Sequence, residues 1–126
     1  MNKDILIQVA KRTQLNVRQE LPPKAFLTEK QIERRLSVGS YGHRLMEWMK
    51  EQQPERYQTL LEEGDLFPTL VEVQVEASQT KEKMVKQLLN DPKIKAMDWL
   101  TRSKEITLQS DLMDQKIMRE IVLIPR

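Results

Sequence analysis

The chain has no cysteine, a single histidine (His43) and only three glycines. Without thiols there is no disulfide, no thiolate nucleophile and no sulfur-ligated metal. One imidazole leaves too few donors for a zinc site. Three glycines cannot make a phosphate-cradling loop of the known kinds. Long apolar runs are missing too, and none nears the ~20 residues of a membrane helix. At the start, Asp4 and Gln8 interrupt the patch formed by Ile5, Leu6, Ile7, Val9 and Ala10, and no small-residue cleavage site follows. A signal peptide is therefore not expected. These absences lead to the expectation of a cytoplasmic protein with no cofactor, no metal and no membrane partner.

Catalytic constellations are equally scarce. Ser37 and Ser40 lie near His43, but in a break with no Gly-x-Ser-x-Gly elbow to present a nucleophile. Glu62, Glu63 and Asp65 cluster where a helix should end, which suits a solvated rim better than a convergent acid/base pair. The expectation is a protein that is not an enzyme and works by binding.

What is present fits one small helical domain. The 126 residues are 39% hydrophobic, mainly Leu, Ile, Val and Met, and 32% charged. The net charge of +2 hides an uneven layout. Residues 1–50 carry 10 Lys and Arg against 5 Asp and Glu, residues 51–78 carry 1 against 7, and residues 79–126 carry 10 against 7. A basic front, an acidic waist and a mildly basic back make a dipolar surface, unlike the uniformly basic footprint of a dedicated DNA binder.

Local signals punctuate five or six helices. Asp4 can cap a first short helix, which must end before Pro22-Pro23. Thr28 to Gln31 has the capping-box pattern and opens a helix carrying Ile32 and Leu36. After the break at Ser37 to Ser40, with Ser40 as the expected cap, Tyr41, Leu45, Trp48 and Met49 fall at helical spacing. Pro54 suits the first turn of the next helix, and Gly64 suits its left-handed end. Leu70 to Val75 alternates like a strand, yet Val73, Ala77, Lys81, Met84 and Leu88 continue at helical steps. One helix from about Pro68 to Leu89 is expected, roughly 33 Å long. Asp91-Pro92 then starts a last helix through Ile94, Met97, Leu100, Ile106, Met113, Ile117 and Ile121, kinked or split near Ser103 and Ser110. The short connector predicts an all-α fold with a long C-terminal antiparallel helical hairpin. Its expected core is Leu45, Trp48, Leu60, Leu61, Leu70, Met84, Leu88, Met97, Leu100, Ile117 and Ile121.

Two charged clusters are candidate binding surfaces. Lys30, Arg34, Arg35, His43 and Arg44 flank the Ser37–Ser40 break, where nucleic-acid contact through a helix-turn-helix is conceivable. Arg34 and Arg35 occupy positions such a motif would bury, so a solvated basic face fits better. Glu55, Glu62, Glu63, Asp65, Glu72 and Glu76 form the acidic counterpart. Tyr41, Trp48 and Tyr57 are the aromatic residues best suited to anchor a partner.

Gly39-Ser40-Tyr41-Gly42-His43-Arg44, then Lys50-Glu51-Gln52-Gln53-Pro54 with Tyr57, Leu60-Leu61, Gly64 and Leu66-Phe67-Pro68, resembles TnpV-like transposon-encoded proteins. Met97-Asp98-Trp99 and Glu120-Ile121-Val122-Leu123 extend the resemblance to about residues 39–124. On that basis residues 1–38 are an extension with short helices and 39–126 the family core. Ser40 and His43 stand where the family often has Arg, which lessens the DNA contact it implies. The resemblance implies a mobile-element origin, a largely helical fold and no catalytic motif. Small proteins of mobile elements mostly act on nucleic-acid machines. The favoured expectation is a regulator or inhibitor of a protein that handles nucleic acid, such as a recombinase, or an anti-CRISPR-like blocker of a Cas nuclease. The alternative is a direct DNA-binding accessory factor for transposon excision.

Overall fold

The computed structural model describes residues 23–126, and among these there are helices and no strand. The helix expected from Asp4 lies outside the described residues. Helix α1 (Glu29–Glu33) starts at the capping box: Thr28 Oγ1 accepts from the Gln31 amide at 3.2 Å, and Gln31 Oε1 accepts from the Thr28 amide at 2.9 Å. Ile32 is its one buried residue. A single 3₁₀ turn (Leu36–Val38) follows and buries Val38.

Helix α2 (Gly39–Gln52) buries Tyr41, Leu45, Met46 and Met49. Helix α3 (Pro54–Glu63) has Pro54 in its first turn and Gly64 at φ +77° beyond its end. The Asp65 amide reaches Leu60 O and the Gly64 amide reaches Leu61 O, the paired bonds of a Schellman motif. Helix α4 (Leu66–Leu89) runs unbroken through the stretch that alternates like a strand. Leu70, Val73 and Ala77 line its buried face, and Val75 is left 47% exposed. The alternation is thus incidental, and the three- and four-residue spacing sets the packing.

The last helix is split earlier than the serines suggested. Helix α5 (Pro92–Lys95) is one turn, capped by Asp91, and α6 (Trp99–Ile117) restarts with Asp98 Oδ1 accepting from the Thr101 amide at 3.0 Å. A π-helical turn (Met118–Val122) ends the chain's regular structure, with Leu123 N–H bonding Met118 O at 2.7 Å. The Arg126 guanidinium donates to the carbonyls of Ile121, Val122 and Ile124 and satisfies that end.

Helix α4 is the centre of the domain, contacting α2, α3, α6 and the π turn. It pairs antiparallel with α6: Lys81 meets Asp114 at 2.8 Å, while Arg126 lies in the field of Glu72 and Glu76 lower on α4. Of the expected core, Leu45, Leu60, Leu70 and Ile117 are buried, and Trp48, Leu61, Met84, Leu88, Met97 and Ile121 are half-buried. Leu100 is a correction, at 54% exposed. With Lys81 opposite Asp114, antiparallel counting brings α4 to its end at Leu89 before it can cover the first turn of α6. Ile32, Val38, Tyr41, Met46, Met49, Tyr57, Leu66, Val73, Ala77 and Val122, absent from that expectation, complete the buried cluster. No helix among the described residues is long and apolar enough to cross a membrane.

Candidate functional site

The Gly39-to-Gly42 stretch is where α2 crosses α4, and its sequence follows from how close that crossing is. Gly39 has φ +66°, a conformation that costs an L side chain about 1–2 kcal/mol. A Cβ on Gly39 would also fall 2.2 Å from the Gln74 side chain. At Gly42 a Cβ would meet Val38 Cγ1 at 2.7 Å and the Leu70 carbonyl oxygen at 3.2 Å. Two glycines therefore let the first turn of α2 approach the α4 backbone. Ser40 does not cap α2. Gln74 of α4 does, its Oε1 accepting from the amides of Tyr41 at 2.9 Å and Gly42 at 3.1 Å. Its Nε2 donates to Ser78 Oγ at 2.9 Å, which fixes the amide's orientation.

Next to this crossing, the Tyr41 hydroxyl donates to Asp114 Oδ1 at 2.6 Å, and Lys81 Nζ donates to the same oxygen at 2.8 Å. Burial works against the charge on Asp114, but Lys81 and the Tyr41 hydroxyl outweigh it and hold the carboxyl below the usual aspartate value. Burial and the Asp114 carboxylate push the Tyr41 phenol upward, so it stays a hydrogen-bond donor. This trio forms the floor of an open groove of about 1070 Å³ between α2 and the end of α6. Arg44 stands on the α2 wall, and Met118, Arg119 and Leu123 on the other.

The basic candidates separate in space. Lys30, Arg34 and Arg35 are exposed on or just after α1 with no ion pair among the described residues, and Arg44 lines the groove together with His43. His43 is tied down: Nδ1 lies 2.7 Å from Gly39 O and Nε2 lies 2.9 Å from Glu33 O, so the ring ties the end of α1 to the start of α2. The acidic candidates also divide. Glu55, Glu62 and Glu63 are exposed on α3 with no cation on them among the described residues, and Glu62 accepts from Gln58 Nε2. Asp65 pairs with Lys24 at 3.1 Å, and Glu72 and Glu76 face Arg126. Burial lowers the Arg126 guanidinium from its ordinary value, against the pull of those two carboxylates.

The aromatic anchors go largely to the interior. Tyr41 and Tyr57 are buried, and the Tyr57 hydroxyl donates to Glu29. That bond and Lys50, 3.2 Å from Glu29, draw the Glu29 carboxyl below its usual value. Trp48 is half-buried against the core, and the exposed tryptophan is Trp99. Gln74, Lys81, Asp114 and Arg119 were not among the sequence candidates. Gln74 and Asp114 act across the fold, 32 to 73 residues from their partners on α2, Lys81 reaches Asp114 over 33 residues, and no local pattern marks any of the four. Among the described residues no three acidic or histidine side chains are placed to hold a metal.

Compared with known families, residues 19–123 match the family of the transposon-encoded protein TnpV. The chain belongs to the TnpV family. The match starts well before the Gly39 boundary drawn from sequence and takes in all of α1. Ile32 of α1 and Val38 share one buried cluster with Leu45 and Leu70, so the TnpV fold here includes the segment ahead of the glycine motif. The Gly39–Gly42 stretch that carried the resemblance sits on the α2–α4 crossing, where glycine is required for packing. No curated protein and no solved structure matches the chain.

Proposed function

We propose that this TnpV-family chain is a non-catalytic binding protein that regulates or inhibits a protein handling nucleic acid, and that α3 makes the contact. The supporting observation is the free carboxylate face of α3. Glu55 and Glu62 are seven residues apart, share the face opposite buried Tyr57 and Leu60, and have no cation on them among the described residues. Glu63 flanks them. Such a row can stand in for phosphates in a basic groove of a recombinase or of a nuclease such as a Cas effector. With Asp65, Glu72 and Glu76 engaged inside the molecule, α3 is the part of the acidic waist free to bind.

The second reading, a DNA-binding accessory factor for excision, draws on Arg34, Arg35 and Arg44, which are exposed and have no ion pair among the described residues. One experiment separates them. Tagged wild-type chain and the Glu55→Lys/Glu62→Lys/Glu63→Lys variant are used to capture partners from host lysate, with and without nuclease. A nucleic-acid-handling protein retained after nuclease treatment and lost from the variant is the expected result. Tight, salt-sensitive binding of the purified chain to duplex DNA, abolished by Arg34→Glu/Arg35→Glu/Arg44→Glu, would replace it with the second reading.

A further inference from the structure

We propose that the groove between α2 and the end of α6 is a docking site for an acidic polypeptide segment of a partner, clamped by Arg44 and Arg119. This surface is distinct from the outward face of α3, and the proposal stands or falls apart from the reading given to that helix.

The charges in the groove divide into a cancelled floor and an open rim. Lys81 is held by Asp114 at 2.8 Å, and the same carboxylate holds the Tyr41 hydroxyl, so the floor is close to neutral. Met118 and Leu123 add apolar surface beside it. Among the described residues Arg44 on α2 has no ion pair and Arg119 on the π turn has only its neighbour Glu120 at 3.8 Å, and both are exposed. Two guanidiniums thus line the same amphipathic groove. Guanidinium binds carboxylate in a bidentate fork, and Arg is enriched where interfaces are strong. At about 1070 Å³ and open to solvent, the groove exceeds most of the ~300–1,000 Å³ range of small-molecule pockets and suits a chain segment. An occupant with an apolar side chain over Met118 and Leu123 and carboxylates to either side would match it.

Nucleic acid fits less well. Phosphate binding of useful strength needs several neutralised phosphates, about 6–10 in well-studied cases. Here the floor holds Asp114, and Glu120 stands beside Arg119. Asp114 takes the charge of Lys81 and Glu120 part of that of Arg119, so two arginines are too few for a phosphate backbone but suffice for a peptide with two carboxylates.

The test uses the full chain and random 12-residue peptides displayed on phage. Enriched sequences are then measured as fluorescently labelled peptides. The expected enrichment is of peptides with two Asp or Glu flanking an apolar residue. Their affinity should fall at least tenfold in Arg44→Glu and in Arg119→Glu and stay unchanged in Lys104→Glu, at an exposed position of α6 outside the groove. Thermal unfolding of each variant checks folding, and the milder Arg44→Gln and Arg119→Gln repeat the measurement if a charge reversal unfolds the chain. No enrichment, enrichment of neutral or basic peptides, or indifference to both arginine substitutions would overturn the proposal. So would binding of a 20-nucleotide single-stranded or duplex DNA that is lost in the same variants, since it would make nucleic acid the occupant.

Discussion

Gln74 and Tyr41 lie 33 residues apart, and the side chain of the first serves as the helix cap of the second. The Gln74 Oε1 takes the two amides that a serine or aspartate would ordinarily satisfy from within the same helix. Capping and interhelix docking are therefore one interaction, and α2 cannot complete its first turn unless α4 is in place. Replacing Gln74 by Ala leaves both amides without their acceptor and should destabilise the domain by about 1–3 kcal/mol. Gln74→Glu keeps an oxygen at a helix N-terminus, where negative charge is favourable, and should lose less. Urea unfolding of the two variants checks the order, and equal losses would show that the cap is not the main contribution.

The two glycines predict a coupled effect. Gly42→Ala forces a methyl toward the Leu70 carbonyl and Val38, an overpacking that typically costs about 1–3 kcal/mol. Gly39→Ala adds a conformational cost at φ +66° and a clash with Gln74. Only the clash depends on Gln74. In a Gln74→Ala background Gly39→Ala should therefore cost less than in the wild type, while the cost of Gly42→Ala should change little. A double-mutant cycle of unfolding free energies reads this directly.

This crossing also shows what the sequence could and could not convey. The caps at Thr28, Asp91 and Gly64 and the proline at 54 were readable because each acts within a few residues of itself. The helical reading of Leu70 to Val75 was readable once the longer periodicity was allowed to outweigh the short alternation. Ser40 misled, because a capping residue was present in sequence while the cap comes from α4. The Tyr41, Lys81 and Asp114 trio joins three helices, and neither Lys81 nor Asp114 differs locally from the solvated charges around it. Arg119 sits in an ordinary mixed-charge stretch and lines one groove with Arg44 only after the chain has folded.

Acid should weaken that hairpin. The folded-state Asp114 carboxyl lies below the ordinary value of 3.8, so in the native state it stays ionised to lower pH than in the unfolded chain. Its stabilisation is complete above that ordinary value and is lost as pH falls through the lowered one. Asp114 is partly exposed, so solvent screening limits the contribution to about 1 kcal/mol or less. The difference in melting temperature between wild type and Asp114→Asn should be constant at neutral pH and shrink below pH ~4. Glu29, drawn down by Tyr57 and Lys50, acts in the same direction, so Glu29→Gln should show the same convergence.

The two tryptophans offer a spectroscopic check on where the hairpin leaves the body of the protein. Trp48 lies half-buried against the α2 side of the core, and Trp99 is 80% exposed at the start of α6. Substituting Trp99 removes little buried surface, so Trp99→Phe should change stability by no more than about 0.5 kcal/mol. Trp48→Ala, by contrast, strips an aromatic side chain from the edge of the core and should cost several times more, up to the ~3–5 kcal/mol seen for fully buried aromatics. In Trp99→Phe the remaining emission, from Trp48, should be shifted to shorter wavelength and resist quenching by acrylamide. In Trp48→Phe the emission from Trp99 should be red-shifted and readily quenched. If Trp99 instead proves blue-shifted and protected, its face is covered in solution. A concentration series by analytical ultracentrifugation would then show whether a second copy of the chain covers it.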